Sequence, residues 1–270
     1  MSTKGANSTK INLDKYYTPK EVAEYCYNKV IEVIGKENIT EIIEPSAGGG
    51  VFLELDEDMI GYDIVPEHPR IHKQDFLELD LEYKKGRLIL GNPPYGRCLN
   101  LAQKFYKKSV ELGDYVAFIL PISQLNNNRT MYEFDLVHSE DLGFKTYTDR
   151  DLHCCFNIYK RSDDGKLNKK KSNKLKDITI IRQDSKKYAE AEFDIRMCYW
   201  GDGSAGKILT EGENYSGEYK IKINNQEKYA KIKEFIETFD WNGYVKGIAM
   251  KRIKQYHIVE VLKTHIEGIE

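Results

Sequence analysis

Arg87-Leu88-Ile89-Leu90-Gly91-Asn92-Pro93-Pro94-Tyr95-Gly96 is an apolar run that stops at a proline-locked turn. Residues 87–90 read as a short buried strand. The two prolines fix φ and remove backbone donors, so the turn presents carbonyl oxygens without competing N–H groups. The Asn92 side-chain oxygen and the Pro93 carbonyl are placed to accept the two hydrogens of an exocyclic NH2. An adenine amine is a poor nucleophile because its lone pair is delocalised into the ring. Two acceptors off the ring plane favour a pyramidal nitrogen, with its lone pair free to attack a methyl donor. Tyr95 then offers a face on which a base stacks, a contact of about 1–3 kcal/mol. The competing reading is an ordinary proline-rich turn after a strand.

Working outward, residues 39–159 alternate short apolar runs with helical stretches, the pattern of an α/β doubly wound sheet. Strands are expected at residues 39–43, 59–62, 87–90, 115–120 and 154–159. A helix is expected over 100–112. A second amphipathic helix over 19–34 has Thr18 as its N-cap and Pro19 at its first helical position. Residues 162–177 differ in kind: Lys166, Lys169, Lys170, Lys171, Lys174 and Lys176 sit among Ser, Asn and Gly, which predicts a mobile surface loop. Strand character resumes at 177–181, a glycine-rich stretch covers 200–206, and a helix is expected over 227–239. No internal repeat is present.

Glu44-Pro45-Ser46-Ala47-Gly48-Gly49-Gly50 follows the first strand, where an open α/β sheet places its ligand crevice. Glycines there allow positive φ and close approach of backbone to a ligand. The turn lacks both the GxGxxG fingerprint and a phosphate-binding lysine, and it opens with an acid, which suits a cationic amino acid moiety better than a pyrophosphate. Asp63, with Ile64 after it, closes the next strand 19 residues beyond Glu44, where an acid commonly holds ribose hydroxyls. Gln74-Asp75-Phe76 follows at the end of a third strand, offering a carboxylate to an adenine amine and a ring to an adenine face. Any one of these acids alone is more often a solvated surface group; their order at successive strand ends argues for a ligand site.

The order Thr18-Pro19, residues 44–52, Asp63, Asp75-Phe76 and Asn92 to Tyr95 resembles the S-adenosylmethionine-dependent N6-adenine DNA methyltransferases of the gamma class, over residues 15–160. The resemblance implies a Rossmann-like methyltransferase sheet over residues 1–160 that binds S-adenosyl-L-methionine. Residues 161–270 then form a smaller C-terminal α+β target-recognition domain. It implies that Glu44, with Pro45, Ser46, Ala47 and Gly48, meets the donor's amino acid, Asp63 and Ile64 its ribose, and Asp75 and Phe76 its adenine, while Thr18 helps close the site. Asn92, Pro93, Pro94 and Tyr95 act on the target amine, and Phe156 sandwiches a flipped base against Tyr95. Gly48, Gly49 and Gly50 are not ranked by this pattern.

Composition sets the outer bounds. A chain of 270 residues with 40% hydrophobic and 31% charged content is expected to be a globular cytoplasmic protein. No run approaches the ~18–20 apolar residues of a membrane span, and Met1 to Lys10 has no signal-peptide core. Five cysteines form no CxxC pair, and no metal is expected. Net charge is −6 over residues 1–160 and +4 over 161–270, so the C-terminal part is expected to meet the phosphates of double-stranded DNA, with Lys169, Lys170 and Lys171 as contacts. Flipping the target base out of the duplex is required for access. A cognate restriction endonuclease is a possible further partner. The alternatives are methyl transfer to RNA adenine, to a protein glutamine or to cytosine N4, and a non-catalytic donor-binding protein.

Overall fold

Helix α1 (Lys20–Ile34) turns Val22, Ala23, Cys26, Val30 and Ile34 inward, and this single apolar stripe covers one face of a sheet. The computed structural model describes residues 16–148, 150–201, 203–246 and 252–270; Met1 to Lys10 lie outside them. The chain divides into two units, Met1–Lys170 and Lys171–Glu270.

In the first unit, β1 (Glu41–Glu44), β2 (Ile60–Asp63), β3 (Ile71–Lys73) and β4 (Arg87–Gly91) precede helix α2 (Asn100–Leu112). After it come β5 (Tyr115–Pro121), β6 (Asp135–Tyr147) and β7 (Arg150–Lys160). They form one seven-stranded sheet in the order β3-β2-β1-β4-β5-β7-β6. The first five are parallel, and β7 runs antiparallel between β5 and β6. Side chains alternate across it as the pleat requires. Ile42, Leu88, Leu90, Ala117, Ile119, Phe156 and Ile158 face the α1 layer. Ile43, Ile89, Val116, Phe118, Leu120, Cys155 and Tyr159 face Phe105, Tyr106 and Val110 of α2. The central strand β4 is buried along its whole length, which explains its unbroken apolar run. This is the doubly wound α/β sheet the sequence predicts, with most crossovers reduced to short 3-10 turns.

Two expectations are corrected here. Thr18 does not cap α1: Pro19 occupies the N-cap position and no side chain caps the helix. The first strand also runs later than 39–43, ending on Glu44, so that acid is held by the sheet itself.

The second unit is a three-stranded antiparallel sheet in the order β8-β10-β9. Its strands are β8 (Ile178–Arg182), β9 (Ile195–Cys198) and β10 (Glu218–Ile223), followed by helices α3 (Tyr229–Thr238), α4 (Trp241–Lys246) and α5 (Gln255–His265). Tyr219, Ile221 and Ile223 alternate inward to join Ile232, Ile236, Ile258 and Leu262 in its core. The strand beginning at Ile178 therefore belongs to this sheet and not to the larger one. The unit boundary falls inside the lysine loop, ten residues beyond residue 160. On the first unit's side Asn168 is tied to the Glu133 carbonyl at 2.8 Å and to Asp135 at 2.8 Å. No described helix is long and apolar enough to cross a membrane.

Candidate active site

Strands β1, β2 and β4 run parallel, so the loops leaving their carboxyl ends meet. Gly91 ends β4 against the Glu44–Pro45 step: a Cβ there would stand 3.3 Å from Pro45 Cδ and 3.5 Å from Glu44 Cγ. Ser46 Oγ donates to the Asn92 carbonyl at 3.2 Å, joining the first loop to the Asn92–Tyr95 turn.

The glycine turn is ranked by its backbone. Gly48 (φ 49°) and Gly50 (φ 83°) lie in the left-handed region and Gly49 does not. Asp63 fixes this turn from β2, accepting from Gly48 N at 2.8 Å through one oxygen and from Val65 N at 2.8 Å through the other. Ala47 is buried, and its N–H donates to the Tyr62 carbonyl at 2.9 Å.

Between these loops lies a cleft of about 440 Å3, within the size of ordinary ligand pockets. Pro45, Ser46 and Gly48 line it with Asp63 and Ile64. Asp75, Phe76, Asn92 and Pro94 also line it. Asp75 Oδ1 accepts from Leu77 N at 2.9 Å, and Phe76 stacks on Phe105 with ring centres 5.5 Å apart. One end of the cleft is thus a rigid aromatic wall and a carboxylate, the equipment for a planar heteroaromatic group.

Glu44 is the electrostatic anomaly. It is 3% exposed, and its Oε2 has no hydrogen-bond partner among the described residues. Burial, and then the neighbouring Asp63 charge, raise its carboxyl well above the usual range. A buried acid without a donor is costly unless a ligand brings the donor or the positive charge. S-Adenosylmethionine carries both an ammonium and a sulfonium beside a ribose and an adenine. Asp63, Asp75 and Phe76 line the cleft, and Glu44 is not among its lining residues.

Asn92 is held on both sides. Its Nδ2 donates to the Tyr16 carbonyl and to Thr18 Oγ1, each at 3.3 Å, so Oδ1 is the atom turned away from the N-terminal segment. Tyr95 OH donates to that Oδ1 at 3.1 Å and lies 3.6 Å from Cys154 Sγ. A carbonyl oxygen has two lone pairs, so one acceptor position remains. Tyr95 is half-buried with its ring stacked against Tyr16, centres 6.4 Å apart, and burial raises its phenol well above the usual range. Pro93 is buried beneath the turn.

Tyr16 and Tyr17 went unread in the sequence, yet both line the cleft. Tyr17 lies over Gly48 and Gly49, and its hydroxyl donates to both Glu67 carboxylate oxygens at 2.7 Å. Paired tyrosines directly before Thr18-Pro19 were the available signal. Phe156 is a different case. It is fully buried in the α1-side layer, paired with Ile119 and Glu140, and the structure does not bring it to the cleft. Lys169, Lys170 and Lys171 are exposed on the connecting loop.

No family model matches the chain. The type II methyltransferases M.HincII of Haemophilus influenzae and M.HindII of Haemophilus influenzae Rd are each 32% identical to it over 110 residues, 36% of this chain. Those matches span only 20% and 19% of the two relatives, about a fifth of their length. Among solved structures, the chain is similar to the 1,6-didemethyltoxoflavin N1-methyltransferase of Burkholderia thailandensis (TM-score 0.42, 15% identity, 53% of this chain and 80% of that one). It is likewise similar to magnesium protoporphyrin IX methyltransferase of Synechocystis (TM-score 0.39, 11% identity, 53% and 79%). At that level these likenesses decide neither substrate nor mechanism.

Proposed function

We propose that the chain is an S-adenosylmethionine-dependent methyltransferase acting on the N6 amine of an adenine flipped out of double-stranded DNA. The observation that carries this reading is the orientation of Asn92. Two hydrogen bonds from its Nδ2 turn its Oδ1 away from the N-terminal segment, Tyr95 OH donates to that Oδ1, and Asn92 lines the same cleft as Asp75 and Phe76.

When bound, S-adenosylmethionine supplies an electrophilic methyl group. Glu44 offers its unpartnered oxygen to the cationic amino acid end, and Asp63, already fixed by two backbone donors, offers its remaining lone pairs to ribose hydroxyls. Asn92 Oδ1 and the Pro93 carbonyl accept the hydrogens of the target amine, holding the nitrogen pyramidal and its lone pair forward. Holding nucleophile and methyl carbon in line supplies much of the rate. Tyr95 keeps the Asn92 amide oriented and presents its ring to the base. The 32% identity to type II methyltransferases supports a methyltransferase, and the net +4 over residues 161–270 supports a polyanionic substrate.

Radiolabelled donor offered to DNA, RNA and protein pools tests the reading. Label is expected in DNA; label confined to RNA or protein would overturn the substrate assignment.

A further inference from the structure

Residues 171–270 contain an aromatic and cationic surface that the cleft chemistry does not use. Trp200 is 50% exposed, whereas the second tryptophan, Trp241, is 2% exposed. Its ring is seated on bare backbone: a Cβ on Gly217 would lie 2.0 Å from Trp200 Cδ1, so only glycine leaves room for it. The Trp200 carbonyl accepts from Cys198 Sγ at 3.2 Å and Ser204 Oγ at 3.1 Å, which fixes the backbone from which the ring projects. Trp200 also forms an isolated antiparallel bridge with Arg252, locked by Ile253 N donating to the Tyr199 carbonyl at 2.7 Å.

Two cations stand beside this bridge. The Arg252 guanidinium lies 5.0 Å from the Tyr199 ring centre, and Lys254 Nζ lies 5.6 Å from that of Tyr256. Neither forms an ion pair with a carboxylate among the described residues; Asp184 is paired with Arg182 and feels the Arg252 charge only beyond ion-pair distance. Elsewhere in this unit Arg196 is paired with Glu218 and Lys228 with Asp177. Burial and the Arg252 charge lower the Lys254 pKa, the mark of positive charge crowded without an anion. An ordered aromatic beside cations that form no ion pair is the equipment for a nucleic-acid backbone.

We propose that Trp200, Arg252 and Lys254 form the DNA-contacting surface of residues 171–270, the two cations taking backbone phosphates and the same strand covering the Trp200 ring. This rests on the reading of duplex DNA as substrate. It differs from the lysine loop in being ordered: Lys169, Lys170 and Lys171 form no ion pair among the described residues and lie on an exposed loop, whereas Trp200 and Arg252 are bridged.

The test uses the full chain and a 30-bp duplex. Iodide quenching of tryptophan fluorescence reports on exposed Trp200 and not on buried Trp241, and the duplex is expected to protect it. Arg252→Gln with Lys254→Gln should weaken duplex affinity about tenfold at 0.1 M salt and make the slope of log affinity against log salt shallower by about 2. Calorimetric S-adenosylmethionine binding should be unchanged. If the duplex binds but quenching and slope stay as they were, this surface is wrong while the DNA reading stands. If no duplex binds, or only an RNA hairpin protects Trp200, both fall. Should the double variant unfold, the wild-type quenching result still decides.

Discussion

The seven-stranded sheet keeps its chemistry in loops at the carboxyl ends of buried parallel strands, whereas the three-stranded sheet carries its charge on the side chains of short antiparallel strands and the turns between them. Backbone geometry dictates the first arrangement. Because β1, β2 and β4 are parallel neighbours, Glu44, Asp63 and Asn92 all fall at the same edge of the sheet. The second arrangement has no such constraint, and partner contact there depends on which side chains a small fold leaves unpaired. On the proposed reading, catalytic equipment is fixed by topology and recognition equipment by local packing.

The sharpest way to break this contrast is Asn92→Ala. It should lower methyl transfer by roughly a thousandfold, the scale of removing one preorganised polar group from a reacting centre, while calorimetric donor affinity stays within a factor of about three. Retained turnover would detach the cleft from the chemistry. Next comes Tyr95, where Tyr95→Ala should cost roughly a hundredfold in kcat through lost stacking and lost Asn92 orientation. Tyr95→Phe loses only the hydroxyl bond to Oδ1 and should cost about two- to tenfold, so equal losses for Phe and Ala would rule out stacking.

Glu44→Gln sharpens the comparison through pH. The Glu44 carboxyl is raised in the folded chain, so its contribution to stability is fully present below the unfolded value near 4.5 and is lost as pH rises through the folded value. Without ligand, the Gln variant should therefore resist thermal unfolding better than the parent at neutral and alkaline pH, by about 1–3 kcal/mol, and lose that advantage toward pH 4. Its donor affinity should fall about ten- to hundredfold, since the carboxylate meets a cation. A variant neither stabilised nor weakened in binding would place Glu44 outside the donor site. The smallest effect is expected on the connecting loop. Neutralising Lys169, Lys170 and Lys171 should weaken DNA binding alike for all sequences and flatten its salt dependence, without touching kcat at saturating DNA.

Much of the catalytic half was legible because its signals are local. Two consecutive prolines after a buried strand permit few structures, and acids at three successive strand ends are recognisable by order alone. Which glycines need positive φ was not legible, since Gly48, Gly49 and Gly50 are chemically identical and only the backbone separates them. Phe156 misled because residues 154–159 are apolar throughout apart from Asn157, so nothing in the run says which face each residue takes; the pleat sends Phe156 toward α1. Strand β6 was missed because it is an edge strand, carrying Asp135, Glu140, Asp141 and Lys145, and charge on an edge hides strand character while protecting it from pairing with other chains. In the second unit, Glu218-Tyr219-Lys220-Ile221-Lys222-Ile223 has a clear period of two, a signal of β10 that the sequence reading passed over. The Trp200–Arg252 bridge joins residues 52 apart, and no local pattern announces it.

The central claim is that Asn92 Oδ1 activates an adenine amine, and nucleoside analysis tests it most directly. Duplex DNA incubated with the purified chain and isotopically labelled S-adenosylmethionine is digested to nucleosides and resolved by mass spectrometry. The account predicts labelled N6-methyldeoxyadenosine as the sole methylated product, absent with Asn92→Ala. Labelled N4-methyldeoxycytidine, or N6-methyldeoxyadenosine at the same level from the Asn92→Ala chain, would contradict it.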